Sequence, residues 1–110
     1  MCPTPRRSTR ARRQVPCWEE DTGRLFWDGK LVKWFRQPAV NQRALLTAFQ
    51  QAGWPSTLPN PLRGTRGTER KARLHDTIKS LNRNQIGGPV LCFHGDGTGR
   101  RLWWEAVPHP

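Results

Sequence analysis

Acidic residues and cysteines are scarce in this sequence, and long apolar runs are missing altogether. Without about 18 consecutive apolar residues, no segment reads as a membrane-spanning helix. The N-terminus has no apolar stretch behind its charges, which excludes a secretory signal. An Arg-rich, acid-poor start is also the composition of a transit segment, but the expected location is cytoplasmic. The cysteines are Cys2, Cys17 and Cys92, an odd number with no close pair. That spacing argues against a disulfide framework and fits a reducing compartment. No C-x-x-C or H-x-x-x-H pair exists, so no zinc site and no other cofactor is expected, although Cys92 and His94 share one face of a strand by period alone. Enzymatic chemistry also lacks its parts. His94 and Asp96 are close in sequence, but a nucleophile, an orienting partner and a glycine loop leading into a helix are all missing.

What is abundant is positive charge. The 110 residues carry 19 Lys and Arg against 8 Asp and Glu, a formal charge of +11. Such a balance marks a candidate for polyanion binding. Arg6, Arg7, Arg10, Arg12 and Arg13 fall in a segment without acid, and residues 1–16 read as a disordered basic arm. Without those five arginines, 14 basic residues still face 8 acidic ones, so the remainder is basic in its own right. Only 35% of residues are hydrophobic, yet six tryptophans and four phenylalanines fall between residues 18 and 107. Large aromatics make a single core of about 80–90 residues feasible. One domain is expected over 17–107, with a short tail at 108–110.

The expected elements follow from turn chemistry and periodicity. Residues 14–23 read as an irregular lead-in that docks Trp18. The D-G pair inside RLFWDGKLVKWFR predicts a hairpin over about 24–27 and 30–36, ended by Pro38. Asn41 is the candidate N-cap of a helix carrying Leu45, Ala48, Phe49 and Ala52 on one stripe, with Gln42, Arg43, Gln50 and Gln51 on a polar back and Gly53 as the C-terminal stop. The proline-rich stretch 54–68 reads as a loop. Thr68 is the candidate cap of a second helix whose buried line is Leu74, Ile78 and Leu81. On its far side fall Ala72, Asp76, Lys79 and Arg83, flanked by Arg73, His75, Ser80 and Asn82. Gly87-Gly88-Pro89 ends that segment. A final hairpin is expected over about 90–94 and 101–107, with Gly95, Gly97 and Gly99 forming a flexible tip beside Arg100 and Arg101.

A basic helix followed by a basic hairpin fits the docking of a helix in the major groove with a wing on the flanking backbone. Arg70, Lys71, Arg73, Lys79 and Arg83 are phosphate-seeking, and Asn82, Asn84 and Gln85 carry amides that fit base edges. Asp76 is the dissonant residue: it can pair with Arg73 or Lys79, or accept from a cytosine amino group. A solvated charge cluster is the ordinary alternative for the hairpin arginines taken alone. Trp27, Trp103 and Trp104 can form a stacking platform for single strands, but most tryptophans are expected in the core. Trp34, set among Lys33, Phe35 and Arg36, is the expected exception.

Taken together, LFWDGKLVK at 25–33, the segment from Asn41 to Trp54, RLHDTIKSLNR at 73–83 and the segment from Val90 to Trp104 resemble the winged-helix effector domains of bacterial two-component response regulators. The resemblance covers about residues 24–107. It implies an α+β, winged helix-turn-helix-like fold with an N-terminal β-hairpin, two main helices and a C-terminal wing hairpin. It further implies Arg73, Lys79, Ser80, Asn82 and Arg83 facing the groove and Arg100 and Arg101 on the wing. The chain departs from the family in several ways. No receiver domain precedes the module, so phosphorylation control is not carried over; the four-stranded N-terminal sheet shrinks to a hairpin; and loop 54–68 replaces the helix before the recognition helix. The expected function is double-stranded DNA binding, sequence-dependent or nonspecific, by a small transcriptional regulator or nucleoid-associated protein. RNA or ribosome binding is the first alternative, and a winged-helix protein interaction module is the second.

Overall fold

Asp28 and Gly29 both take positive φ, 52° and 77°, so the D-G pair closes the turn between β2 (Arg24–Trp27) and β3 (Lys30–Trp34), as two left-handed central residues allow. The computed structural model describes residues 14–36, 38–62 and 68–107. Residues 1–13 of the expected arm and the tail at 108–110 lie outside the described residues. Val15, by contrast, packs against the core, and Pro16 is buried.

The lead-in is not irregular. Cys17–Glu19 forms a strand, β1, whose residues pair antiparallel with Phe26, Leu25 and Arg24, completing the sheet β1-β2-β3. Three residues are too few to leave a period-2 signal. Trp18 is buried as expected; its indole donates to Thr47 Oγ1 at 3.0 Å and its backbone N–H to Gln50 Oε1 at 2.7 Å. Gln50 also accepts from the Trp54 indole at 2.9 Å. Its side chain therefore holds two tryptophans in place and does not sit on a solvated helix back, as its position in the pattern had suggested.

The first helix, α1, spans Val40–Ala52. It begins at Ala39 with no side-chain cap, so Asn41 lies inside the helix and is not its N-cap. The C-terminal stop is at Gly53 as expected, left-handed at φ 83°. The Gly53 N–H reaches Gln50 O at 3.2 Å and the Trp54 N–H reaches Phe49 O at 2.8 Å, the paired bonds of a Schellman end. The same motif brings the Trp54 ring flat onto Phe49, 4.9 Å between centroids. Burial of each of these rings stabilises the fold by about 1.5–3 kcal/mol.

The stretch expected as a loop contains a strand, β4 (Thr57–Pro59), paired antiparallel with Trp103, Leu102 and Arg101. Pro59 is tolerated there because β4 is an edge strand. The second helix, α2, runs Thr68–Asn82, and β5 (Leu91–Gly95) with β6 (Arg101–Ala106) forms the expected final hairpin. Their sheet has the order β4-β6-β5. Leu74, Ile78 and Leu81 of α2, with Leu45, Leu46 and Phe49 of α1, pack against Leu58, Leu91, Phe93 and Leu102 in one core. Among the described residues the fold is thus α+β, with two helices and two three-stranded antiparallel sheets.

Two amides bind α2 to the open edge of β5. Asn82 donates to Phe93 O at 3.0 Å and accepts from the Phe93 N–H at 2.8 Å. Gln85, buried, accepts from the N–H groups of Val90 and Leu91 and donates to Leu81 O and Leu91 O. An edge strand left bare invites pairing with another chain, and these side chains close it. At the end of α2, Lys33 of β3 donates to Ser80 O at 3.0 Å and Arg83 O at 2.9 Å. A cation there complements the negative end of the helix. Burial, and after it the nearby Arg83 guanidinium, pushes the Lys33 ammonium below its ordinary pKa. Lys33→Met leaves those carbonyls without their charged donor and is expected to lower stability by about 1–3 kcal/mol, read as a reduced urea midpoint. An unchanged midpoint would mean that water serves the carbonyls equally well.

Candidate nucleic-acid interface

The buried line of α2 sets which of its residues face outward. Lys71, Ala72, His75, Asp76 and Lys79 are exposed along the helix, and Arg83 follows just beyond its end. Arg73 and Ser80 lie half-buried at the margins. Asp76 forms no ion pair with Arg73 or Lys79 among the described residues. Its carboxylate is therefore free to accept a hydrogen bond from a base amino group. Lys71, Lys79 and Arg83 likewise have no carboxylate partner among the described residues. Among the described residues the Arg83 side chain donates only to the Ser80 hydroxyl, at 3.4 Å.

The hairpin tip is an ordered structure and not a loose loop. Asp96 accepts from the N–H and the hydroxyl of Thr98, at 2.9 and 2.7 Å, and Thr98 Oγ1 accepts from the Arg100 N–H at 3.0 Å. The two Thr98 bonds hold the Asp96 carboxyl below the usual carboxylate range. Gly99 takes φ 79°, and a Cβ on it would lie 2.9 Å from Lys71 Cα. Only glycine fits this close approach, which seats the tip directly on the first half of α2. Asn60 grips the tip from the other side, donating to Gly99 O at 2.9 Å from its side chain and to Arg100 O at 2.7 Å from its backbone. Arg100 is exposed beside this contact.

The seven residues expected at the interface divide accordingly. Lys79, Arg83 and the half-buried Arg73 and Ser80 belong to the outer side of α2, and Arg100 adjoins its first half through Gly99. Asn82 spends one amide N–H and one carbonyl lone pair on the β5 backbone, which holds its side chain against that strand. Gln85 is committed in the same way. Arg101 is exposed but alternates with buried Leu102, so it shares the sheet face of Trp103 and Glu105, turned away from the helices, and donates to Thr57 Oγ1 at 2.9 Å. Arg100 and Arg101, neighbours in sequence, thus serve different surfaces.

Beyond the end of α2 lies an open groove of about 560 Å³, lined among others by Lys33, Trp34, Arg36, Gln42, Ser80 and Arg83. Trp34 is 45% exposed, with the guanidinium carbons of Arg36 and Arg24 4.5 and 5.0 Å from its ring centroid. The expectation that this tryptophan stands out among charges holds. The Gln42 Oε1 atom is buried in the wall of the groove without a hydrogen-bond partner among the described residues. The platform of Trp27, Trp103 and Trp104 does not form. Trp104 packs edge-on against Trp54 and Trp27 at 5.7 and 6.0 Å and donates to Pro55 O, whereas Trp103 lies on the opposite face, stacked on His94.

Two cysteine expectations change. Cys17 is disulfide-bonded, so the odd count hides one bridge, and the case for a reducing compartment no longer rests on cysteine usage. Cys92 carries a free thiol, raised in pKa by burial and then by Glu105. Spacing along the chain offered no ligand pair, yet pairing of β5 with β6 brings Cys92, His94 and Glu105 within 4.8 Å of one another. Among the described residues no helix is long and apolar enough to cross a membrane. No family model, curated protein or solved structure matches the chain. The resemblance to winged-helix effector domains therefore stands on element order and residue pattern alone.

Proposed function

We propose that this chain binds double-stranded DNA as a winged-helix-like module, with α2 in the major groove and the 95–100 hairpin tip on the flanking backbone. In this reading Lys79, Arg83, Lys71 and Arg100 meet phosphates, Asp76 and His75 face base edges, and the arginines of residues 1–13 reach along the duplex. Arg101 and Asn82 drop out of the binding set. In this reading the protein acts as a small transcriptional regulator or nucleoid-associated factor. The observation that carries the reading is the contact of Gly99 on Lys71, which supports it by bringing the tip next to Arg100 against the first half of α2.

The test is the salt dependence of binding to random duplex DNA. Neutralising six to ten phosphates costs roughly 10³–10⁵ in affinity between about 50 and 200 mM salt. Fluorescence anisotropy at these two concentrations is expected to show a loss in that range, and a flat response would contradict charge-driven binding. The exposed Trp34 between two arginines favours a second reading, in which an unpaired base of RNA stacks in the groove. Competition between duplex DNA and a single-stranded RNA, with Trp34→Ala as the variant, separates the two. Selective loss of RNA binding in Trp34→Ala, with RNA the better competitor, favours the second reading.

A further inference from the structure

The outer face of the β4-β6-β5 sheet lies away from the surface assigned to nucleic acid, and it carries three groups of a different chemistry. Cys92 and His94 are two residues apart on β5, so they point to one side. Cys92 is in direct register with Glu105 of β6, and the His94 Nε2 lies 2.9 Å from Glu105 Oε2. Neighbouring donors around a four-coordinate zinc, with bonds of about 2.0–2.3 Å, are roughly 3.3–3.8 Å apart by tetrahedral geometry. Side-chain rotation brings the separations here, 2.9 Å for His94 to Glu105 and none above 4.8 Å, into that range, and the exposed Glu105 has room for it. His94 is already aimed: Trp103, its register partner, stacks on the imidazole at 4.1 Å with 21° between planes. Cys92 Sγ belongs to the only thiol free among the described residues.

We propose that Cys92, His94 and Glu105 form a binding site for Zn²⁺ on the outer face of the terminal hairpin. One sulfur, one imidazole nitrogen and one carboxylate oxygen suit a borderline-soft ion, and a single carboxylate is too little for Ca²⁺ or Mg²⁺. The ion binds as Zn²⁺, the thiol proton passes to solvent, and the fourth position takes a water. Trp103 is a positioning residue, holding the imidazole plane without touching the metal. Because the ligands bridge β5 and β6, the ion clamps the same hairpin whose tip rests on α2.

The experiment is Co²⁺ titration of the full chain, read by absorption, followed by addition of Zn²⁺. One equivalent of Co²⁺ is expected to give a thiolate-to-cobalt charge-transfer band with tetrahedral visible bands, and stoichiometric Zn²⁺ to bleach both. Cys92→Ser is expected to abolish the charge-transfer band, and His94→Ala to weaken Co²⁺ by more than about tenfold, the least that loss of an outer-shell partner costs. No band in the wild-type chain overturns the proposal, as does a band that survives in Cys92→Ser, an affinity unchanged in His94→Ala, or Co²⁺ that Zn²⁺ fails to displace.

Discussion

Reversing one charge on α2 and one just beyond its end, Lys79→Glu with Arg83→Glu, is expected to lower affinity for random duplex DNA by about 100-fold and to reduce the salt slope by about 2. Each lost phosphate contact removes roughly one released counterion, worth close to tenfold at about 0.1 M salt. The fold is expected to survive. Both side chains are exposed and have no carboxylate partner among the described residues, and exposed substitutions seldom cost more than about 0.5 kcal/mol. A pH readout checks that Arg83 stands beside Lys33. Lys33 has its pKa lowered by burial and by Arg83, so the charged form is disfavoured in the fold relative to the unfolded chain. Its contribution to stability is least at neutral pH and rises as the ammonium deprotonates, in the window between the lowered value and the ordinary 10.5. A glutamate at 83 removes the repulsion and narrows that window, so the alkaline gain in stability shrinks. Binding that survives the double reversal and the loss of residues 1–13 would leave α2 without a role in recognition and favour a protein-interaction module.

Gln85→Leu is expected to cost about 3–5 kcal/mol, a fall in Tm of roughly 15–25 °C. The side chain is nearly isosteric, so the loss is not one of packing. The substitution strips the partners from the N–H groups of Val90 and Leu91 and from Leu91 O, on the side of β5 facing away from β6. An orphaned buried backbone group costs about 1–3 kcal/mol, and total stability is only about 5–15 kcal/mol. Gln85→Glu keeps the acceptor for both N–H groups and is expected to retain part of the stability. A Tm within a few degrees of wild type in Gln85→Leu would mean that the β5 edge does not depend on this amide.

The strongest local signals in the sequence were those with a single physical cause. Asp28-Gly29 announces a turn because few residues accept positive φ, and Gly53 announces a helix end for the same reason. Leu74, Ile78 and Leu81 announce a buried helix face by spacing. Strands β1 and β4 were invisible because each has three residues, and a pair partner far away in sequence supplies most of their stability. Pro59 disguised β4 further, since proline reads as a break until an edge position is known. The site was legible in its charges but not in its amides. Asn82, Gln85 and Gln50 look like surface residues on a helix wheel, and only tertiary contacts reveal that a strand edge or an indole takes up their hydrogen bonds. The separation of Arg100 from Arg101 did have a signal: Leu102 must face the core, so alternation sends Arg101 outward with Trp103. The grouping of Cys92, His94 and Glu105 depends on cross-strand register, which spacing along one strand cannot give.

The most direct measurement is a map of backbone amide shifts in the chain as a short random duplex is added. Perturbations are expected along 71–82 of α2, at Arg83 beyond it and at 97–100 of the hairpin tip, with Trp103 and Glu105 on the outer sheet face unmoved. Shifts centred on that outer face, or spread over both surfaces without preference, would contradict one continuous binding side built by seating Gly99 on Lys71.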